Sequence, residues 1–358
     1  MRIILFSYAY KFTRYIITKV IYIYQRIFFK PRDLETAVEI GDRMLGSIVI
    51  LKNIIYDFSI KPGINVKIFD LVFPSPLIGS SFKSEEHVLD SWLQMGMGGL
   101  IFKTVMENRR TGNSRPRLQD VQIKDNRGLV NSLGLPGPGI DLFLDHILES
   151  KLWSYGRPLG LSIGGESTED YFLSIETINQ RLKKFEYDYF YELNISCPNT
   201  KDGLTIGDNP QMLENLIKKL RKNINTVISV KVSPDSSNKI LNEIGEICSS
   251  YESVMINAGN TKFVSRGEVG YSKSNFSMNG GGLSGPSLFP RTLEMTMLFS
   301  NYDIPIIATG GISNINHVNA LYNAGAILFG MATNLVLDPY CIPRMNNMMK
   351  DYVHNRIA

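Results

Sequence analysis

Only three cysteines and four histidines occur in the 358-residue chain, and that scarcity removes whole classes of chemistry. Cys197, Cys248 and Cys341 show no CxxC spacing and no even framework, which excludes a disulfide scaffold and a zinc ribbon and suits a reducing, cytoplasmic compartment. His87, His146, His317 and His354 are scattered without an HxxxH pair, so no metal site is expected. Acidic residues are missing from residues 1–30, which carry six basic ones (Arg2, Lys11, Arg14, Lys19, Arg26 and Lys30). With a net charge of +4 for the whole chain, the remainder sums to −2. A basic bias confined to one apolar, aromatic segment argues against nucleic-acid binding. That segment also lacks a long apolar run. Its longest uncharged stretch, Ile3–Tyr10, falls far short of the roughly 18 residues a membrane-crossing helix needs. Charges recur where a signal peptide needs an uninterrupted apolar core. No low-complexity tract and no long repeat is present.

What residues 1–30 do have is helical amphipathicity. At 100° per residue, Lys11, Arg14, Thr18, Lys19, Gln25 and Arg26 share less than half of the circumference. Tyr8, Phe12, Tyr15, Ile16, Ile23 and Ile27 lie opposite. A basic face backed by an aromatic one predicts a helix in a membrane interface, giving peripheral attachment. The alternative is that the apolar face packs on the rest of the protein or on a partner subunit. A second helical rhythm follows Pro31 and ends before Lys61-Pro62-Gly63, so residues 1–60 read as a helical extension and residues 61–358 as the main domain.

From residue 70 onward, short apolar runs alternate with helical patterns, as in βα units. Eight runs stand out: 75–80, 99–104, 158–163, 188–195, 227–232, 253–257, 305–308 and 326–331. They predict an α/β fold, a TIM (β/α)8 barrel preceded by the helical extension, in a chain long enough for one barrel of about 250 residues. The residues ending the runs are polar or small: Ser80-Ser81, Lys103-Thr104, Ser162, Asn194 to Cys197, Lys231, Asn257 to Thr261, Thr309-Gly310-Gly311 and Ala332-Thr333. A parallel barrel gathers such ends at its C-terminal mouth, where barrel active sites lie.

The segment Asn194-Ile-Ser-Cys-Pro-Asn-Thr200 resembles the active-site signature of dihydroorotate dehydrogenases, Asn-x-Ser-(Ser/Cys)-Pro-Asn after the fourth strand. Further family-like segments keep the family's order: Lys103-Thr104, Thr111-Gly-Asn-Ser-Arg-Pro-Arg-Leu118, Asn131-Ser-Leu-Gly-Leu-Pro136, Val230-Lys231-Val232, Asn260-Thr261, Gly281-Gly-Leu-Ser-Gly285 and Ala308-Thr-Gly-Gly-Ile312. The likeness covers about residues 74–335, and the ordered set is far more specific than any one motif. It implies oxidation of dihydroorotate to orotate, in pyrimidine (UMP) biosynthesis, with two electrons passing to FMN. Cys197 stands where the family places its base, and a thiol serves there if neighbouring cations or dipoles favour the thiolate. Cys248 and Cys341 read as inert buried thiols. Asn131, Asn194, Asn199 and Asn260, with Thr261, match the groups that bind the pyrimidine, whose alternating C=O and N–H edge suits amides. Lys103 resembles the lysine near both flavin and substrate carboxylate. Lys231 resembles the lysine beside the flavin pyrimidine, where a fixed cation stabilises the reduced form. Gly285, Gly310, Gly311, Ala332 and Thr333 match the phosphate cradle, and Ser80, Ser81, Thr104 and Ser162 match flavin or ribityl contacts, with Lys103, Asn131, Asn194 and Lys231 also counted among the FMN neighbours.

The chain mixes two patterns within that family. Cys197, Lys103 and Asn131–Pro136 resemble the soluble members, which use fumarate, or NAD through an iron–sulfur partner subunit. The basic amphipathic extension resembles the membrane-associated members, which reduce quinone. On the strength of the extension, the leading expectation for the acceptor is membrane quinone, with a soluble acceptor or a partner subunit as the alternative and a homo-oligomer left open. Gly137-Pro138 departs from the more polar residue the soluble relatives carry after Leu-Pro. Residues 262–280 read as a polar insertion, a lid or a subunit contact, and Asn199–Asp208 reads as an active-site lid. Rival readings are another FMN barrel acting on a different pyrimidine, a dihydrouridine synthase, and an inactive scaffold. The −2 balance beyond residue 30 opposes RNA binding, and retention of Cys197, Lys103 and Lys231 opposes the scaffold.

Overall fold

In the computed structural model the described residues are 1–47, 52–196 and 206–349. Eight parallel strands close on one another: β1 (Leu77–Gly79), β2 (Gly99–Val105), β3 (Leu159–Ile163), β4 (Tyr189–Asn194), β5 (Ile228–Val232), β6 (Val254–Ala258), β7 (Ile306–Thr309) and β8 (Leu328–Met331). Each pairs with the next, and β8 returns to β1 through Phe329 opposite Leu77. Every residue of β3, β5 and β6 is buried, which is why these strands read as unbroken apolar runs. All eight fall within or beside the predicted runs. The ends differ by a residue or two because prolines set them: Pro76, Pro158 and Pro305 precede β1, β3 and β7 and offer the ladder no N–H. Helices fill the outer ring. A reciprocal cap between Ser167 and Asp170 starts the helix Thr168–Leu182 that follows β3.

A hairpin absent from the sequence expectation closes the N-terminal end of the barrel. Its strands, Val66–Ile68 and Leu71–Phe73, bury Val66, Ile68, Leu71 and Phe73 against the inward residues Ile78, Ile101, Phe190, Met255, Ile307 and Leu328. At the opposite end a four-stranded antiparallel sheet stands beside the mouth, in the order Lys262–Ser265, Gly280–Ser284, Asn126–Asn131, Leu118–Ile123. Residues 262–280, read as a polar insertion, therefore supply one strand and begin another. Phe276, fully buried against Val121, Val130 and Leu283, anchors a stretch whose composition is otherwise polar.

The extension forms helix α1 (Arg2–Ile27), helix α2 (Leu34–Ser47) and a short turn of helix Lys52–Ile55. No helix among the described residues is long and apolar enough to cross a membrane. α1 is docked on the barrel, and the face it turns inward corrects the packing alternative: it is a mixed stripe that includes Ile3, Phe6, Tyr10, Ile17 and Ile21 beside polar residues, not the face of Tyr8, Phe12, Tyr15, Ile16, Ile23 and Ile27. Ser7, Thr18 and Gln25 are buried there. Ser7 Oγ donates to Asp338 at 2.8 Å, Lys11 pairs with Asp338 at 3.0 Å, and Tyr22 Oη donates to Asp120 at 3.0 Å. Gln25 donates to and accepts from the backbone of Asp33, both at 3.0 Å. These fixed partners on the barrel and on the start of α2 draw that stripe inward. Leu5, Tyr8, Phe12, Tyr15, Val20, Ile23 and Ile27 consequently face outward, each more than half exposed.

Candidate active site

The ends of the barrel strands, the accessory sheet and α2 surround a cavity of about 1410 Å³ at the C-terminal mouth. It gathers Ser80, Ser81, Lys103, Thr104, Asn131, Asn194, Lys231, Asn260 and Thr261, together with Gly285, Gly310, Gly311, Ala332 and Thr333. Cys197 and Asn199, and most of the expected lid 199–208, lie outside the described residues. Ser196, the neighbour of Cys197, lines the same cavity and donates to Lys231 O at 3.3 Å. Ser162 does not line the cavity. It sits behind the wall, buried, with its hydroxyl donated to Glu192 at 2.8 Å.

Alternation along β4 puts Glu192 and Asn194 on one face, and the parallel register sets Glu192 beside Ser162 of β3 and Ser229 of β5. From this layer a single hydrogen-bonded network crosses the barrel. Asn260 Nδ2 donates to Asn194 Oδ1 at 3.1 Å, and Asn194 Nδ2 donates to Thr104 Oγ1 at 2.9 Å. Thr104 and Ser162 hydroxyls meet at 2.9 Å. From the other side, Lys231 Nζ donates to Ser81 Oγ at 2.8 Å, and Ser81 donates to Glu192 Oε1 at 2.7 Å. Glu192 is a residue the sequence reasoning missed. The available signal was an acid inside the buried run Tyr189–Asn194, two positions before an expected site residue.

Lys103 lines the cavity, and its ammonium makes no hydrogen bond or ion pair among the described residues. Burial pushes its ammonium below the usual lysine range against the pull of Glu85, and the like charges of Arg117 and Lys83 push the same way. A lysine so placed is a ready receptor for an anion. Cys248 and Cys341 are free and buried, and burial pushes both thiols up, which keeps them unreactive.

Three cavity hydroxyls are buried without a partner among the described residues: Ser80 Oγ, Ser132 Oγ and Thr309 Oγ1. A side chain at Gly330 would collide with Thr309 Oγ1 and come within 2.9 Å of Ser80 Oγ. This floor of unused hydroxyls, whose close approach the glycine permits, fits a polar ligand. Gly310 and Gly311, at φ 137° and 73°, carry the turn after β7, with Ala332 and Thr333 after β8. That is the pair of loops at which barrels commonly hold phosphate.

A profile of the family described as dihydroorotate dehydrogenase matches residues 63–353. The chain belongs to the dihydroorotate dehydrogenase family. It is thereby an oxidoreductase of that kind, as its motifs imply. Among its relatives is dihydroorotate dehydrogenase B (NAD(+)), catalytic subunit, of Carboxydothermus hydrogenoformans, 28% identical over 295 residues, covering 81% of this chain and 92% of that one. The protein of the same name from Malacoplasma penetrans is 30% identical over 246 residues, covering 68% and 77%. That from Bacillus cereus is 30% identical over 252 residues, covering 69% and 77%. The fold resembles a crystal structure of a dihydroorotate dehydrogenase from Eimeria tenella in complex with ferulenol, with a TM-score of 0.69 and 18% identity over 86% of this chain and 89% of that one. All three named relatives are NAD-type catalytic subunits, which shifts the balance from quinone towards the alternative acceptor.

Proposed function

We propose that this protein oxidises dihydroorotate to orotate, carries FMN as its resident cofactor, and passes electrons to NAD through a separate electron-transfer subunit. The observation that carries this reading is the convergence, in one cavity of a family member, of Lys103 and Lys231 with the amides Asn131, Asn194 and Asn260. Catalysis is assigned to residues 61–358, and residues 1–60 are assigned to attachment.

The reaction removes two hydrogens from adjacent carbons, one as a proton and one with its electron pair. FMN, when bound, supplies the acceptor for that electron pair. Its isoalloxazine and ribityl groups would be held by Ser80, Ser81, Thr104 and Lys231, and its phosphate by Gly285, Gly310, Gly311, Ala332 and Thr333. The hydroxyls of Ser80 and Thr309, unpaired among the described residues and brought together over Gly330, support that fit. Lys103 would bind the substrate carboxylate, its partial burial strengthening the attraction. Asn131, Asn194, Asn199, Asn260 and Thr261 would hold the alternating donors and acceptors of the ring. Cys197 would receive the proton, a role supported by its place in the signature Asn194–Thr200. Ser162 would act through Thr104 and Glu192, since it stands behind the wall.

The purified protein is expected to be yellow and to bleach when dihydroorotate is added without oxygen. A colourless protein that takes up no FMN refutes the cofactor, and a flavin that stays oxidised refutes the substrate. Cys197→Ser is expected to slow the bleaching about a hundredfold at neutral pH, and an unchanged rate would remove the base. Reoxidation of one preparation by NAD with a partner subunit, by fumarate and by quinone identifies the acceptor.

The outward face of α1 favours a second reading for the acceptor alone. Its exposed Leu5, Phe12, Ile16 and Ile23, flanked by Lys19 and Arg26, suit a lipid surface and hence a quinone. Sedimentation with anionic vesicles tests it. Binding lost in a Phe12→Asp, Ile16→Asp, Ile23→Asp variant supports it, and absence of binding by the parent refutes it.

A further inference from the structure

We propose that Glu192 is a positioning residue for the oxidoreductive site, fixing the direction of the donors of Asn194 and Asn260 and balancing the charge of Lys231. The inference rests on the reading of the cavity as a flavin and pyrimidine site. Glu192 is fully buried, and a carboxylate taken out of water is retained only where its lone pairs are filled. Here Oε1 accepts from Ser81 at 2.7 Å and from Ser162 at 2.8 Å, and Oε2 accepts from Asn257 Nδ2 at 2.7 Å. Lys231 Nζ stands 3.8 Å away and reaches the carboxylate chiefly through Ser81.

Proton counting makes this arrangement directional. Ser162 has one hydroxyl proton, and Glu192 takes it. The Ser162 oxygen can then only accept from Thr104, so Thr104 donates across their 2.9 Å contact. Thr104, its proton spent, accepts from Asn194 Nδ2, and Asn194 Oδ1 accepts from Asn260 Nδ2. Asn260 Oδ1 accepts from the backbone N–H of Thr261 at 2.8 Å. The carboxylate is thus the sink to which three donor routes run: from Asn260 by way of Ser162, from Lys231 by way of Ser81, and from Asn257. The lone pairs and N–H groups that Asn194 and Asn260 leave for a ligand are settled by an acid outside the cavity lining. A protonated or amide side chain at 192 adds a donor where every neighbour is already donating, and at least one link must turn round.

The same geometry has an electrostatic side. The charges of Lys231 and Glu192 cancel as a pair, so the attraction of Lys231 for added negative charge is partly offset. Removing the Glu192 charge unmasks the lysine and stabilises a reduced, more negative flavin.

The test compares FMN-loaded parent, Glu192→Gln and Ser162→Ala. Two equilibrium quantities are read: the flavin midpoint potential by anaerobic dye equilibration, and orotate affinity by the change in flavin absorbance. Glu192→Gln is expected to shift the oxidised–reduced equilibrium about tenfold towards reduced flavin and to weaken orotate binding about tenfold. Ser162→Ala breaks the directional chain without changing charge, so orotate binding weakens while the potential holds. A Glu192→Gln protein with parental potential and parental orotate affinity overturns the proposal. If Glu192→Gln does not fold, Ser162→Ala with parental orotate affinity overturns it instead. A parent that takes up no flavin overturns both this inference and the function it rests on, whereas a parent that binds FMN and is bleached by dihydroorotate leaves the function standing whatever the variants do.

Discussion

Gly330 admits two hydroxyls to a place that the side chain of any other residue would take. It lies on β8 with Thr309 Oγ1 and Ser80 Oγ directly over its Cα, and neither hydroxyl has a partner among the described residues. Gly330→Ala is therefore expected to weaken FMN uptake at least about tenfold, by steric intrusion rather than lost hydrogen bonds. Fluorescence titration of the flavin checks it, with circular dichroism as the control for folding, and parental affinity would separate the cavity floor from the cofactor. At this scale the residues at strand ends were legible in the sequence. Lys103, Lys231 and the asparagines announce themselves as polar groups closing apolar runs. Glu192 did not, because an acid inside Tyr189–Asn194 looks like an interruption until the register places Ser162 and Asn257 around it. Ser162 was legible as a polar strand residue, but its position behind the wall depends on which way Thr104 turns.

Carboxylates hold the extension to the barrel alongside apolar contacts from Phe6, Tyr10, Ile21 and Leu34. Glu35 of α2 accepts two hydrogen bonds from Arg117, at 2.8 and 3.0 Å, and Arg117 also donates to the carbonyls of Thr111 and Asn113 beside the cavity. Asp120 and Asp338 receive Tyr22 and Ser7 of α1. Burial pushes all three carboxyls up, but arginine or lysine partners outweigh it and hold each below its ordinary value. Groups with depressed folded values contribute fully above their unfolded values, about 3.9 for Asp and 4.3 for Glu. That contribution is lost as pH falls through the lower folded values. α1 and α2 are accordingly expected to become protease-sensitive below about pH 4, ahead of the barrel core. Retained protection there would mean that apolar packing, not charge, holds the extension. Arg117→Ala should cost about 2 kcal/mol of this attachment and loosen the adjoining rim, read as faster amide exchange in α2. The sequence revealed both helices and their amphipathicity. It could not reveal which face turns inward, because that choice belongs to Asp120 and Asp338, far along the chain.

For the molecule as a whole, eight apolar runs with polar ends were enough to predict a closed barrel with its chemistry at one end. The hairpin 66–73 was not legible, since two three-residue strands leave too short a pattern to recognise. Its consequence is one of traffic. With Phe73 and its neighbours packed into one end of the barrel, a substrate can reach the cavity only from the other. Orotate must leave by the route the next dihydroorotate enters. An acceptor that works through that same opening has to wait its turn, and orotate should then inhibit competitively against it. An acceptor that draws electrons through the wall from a docked subunit need not wait, and orotate should not compete with it. The pattern of orotate inhibition, measured at the bench, thus reports on which side of the barrel the electrons leave.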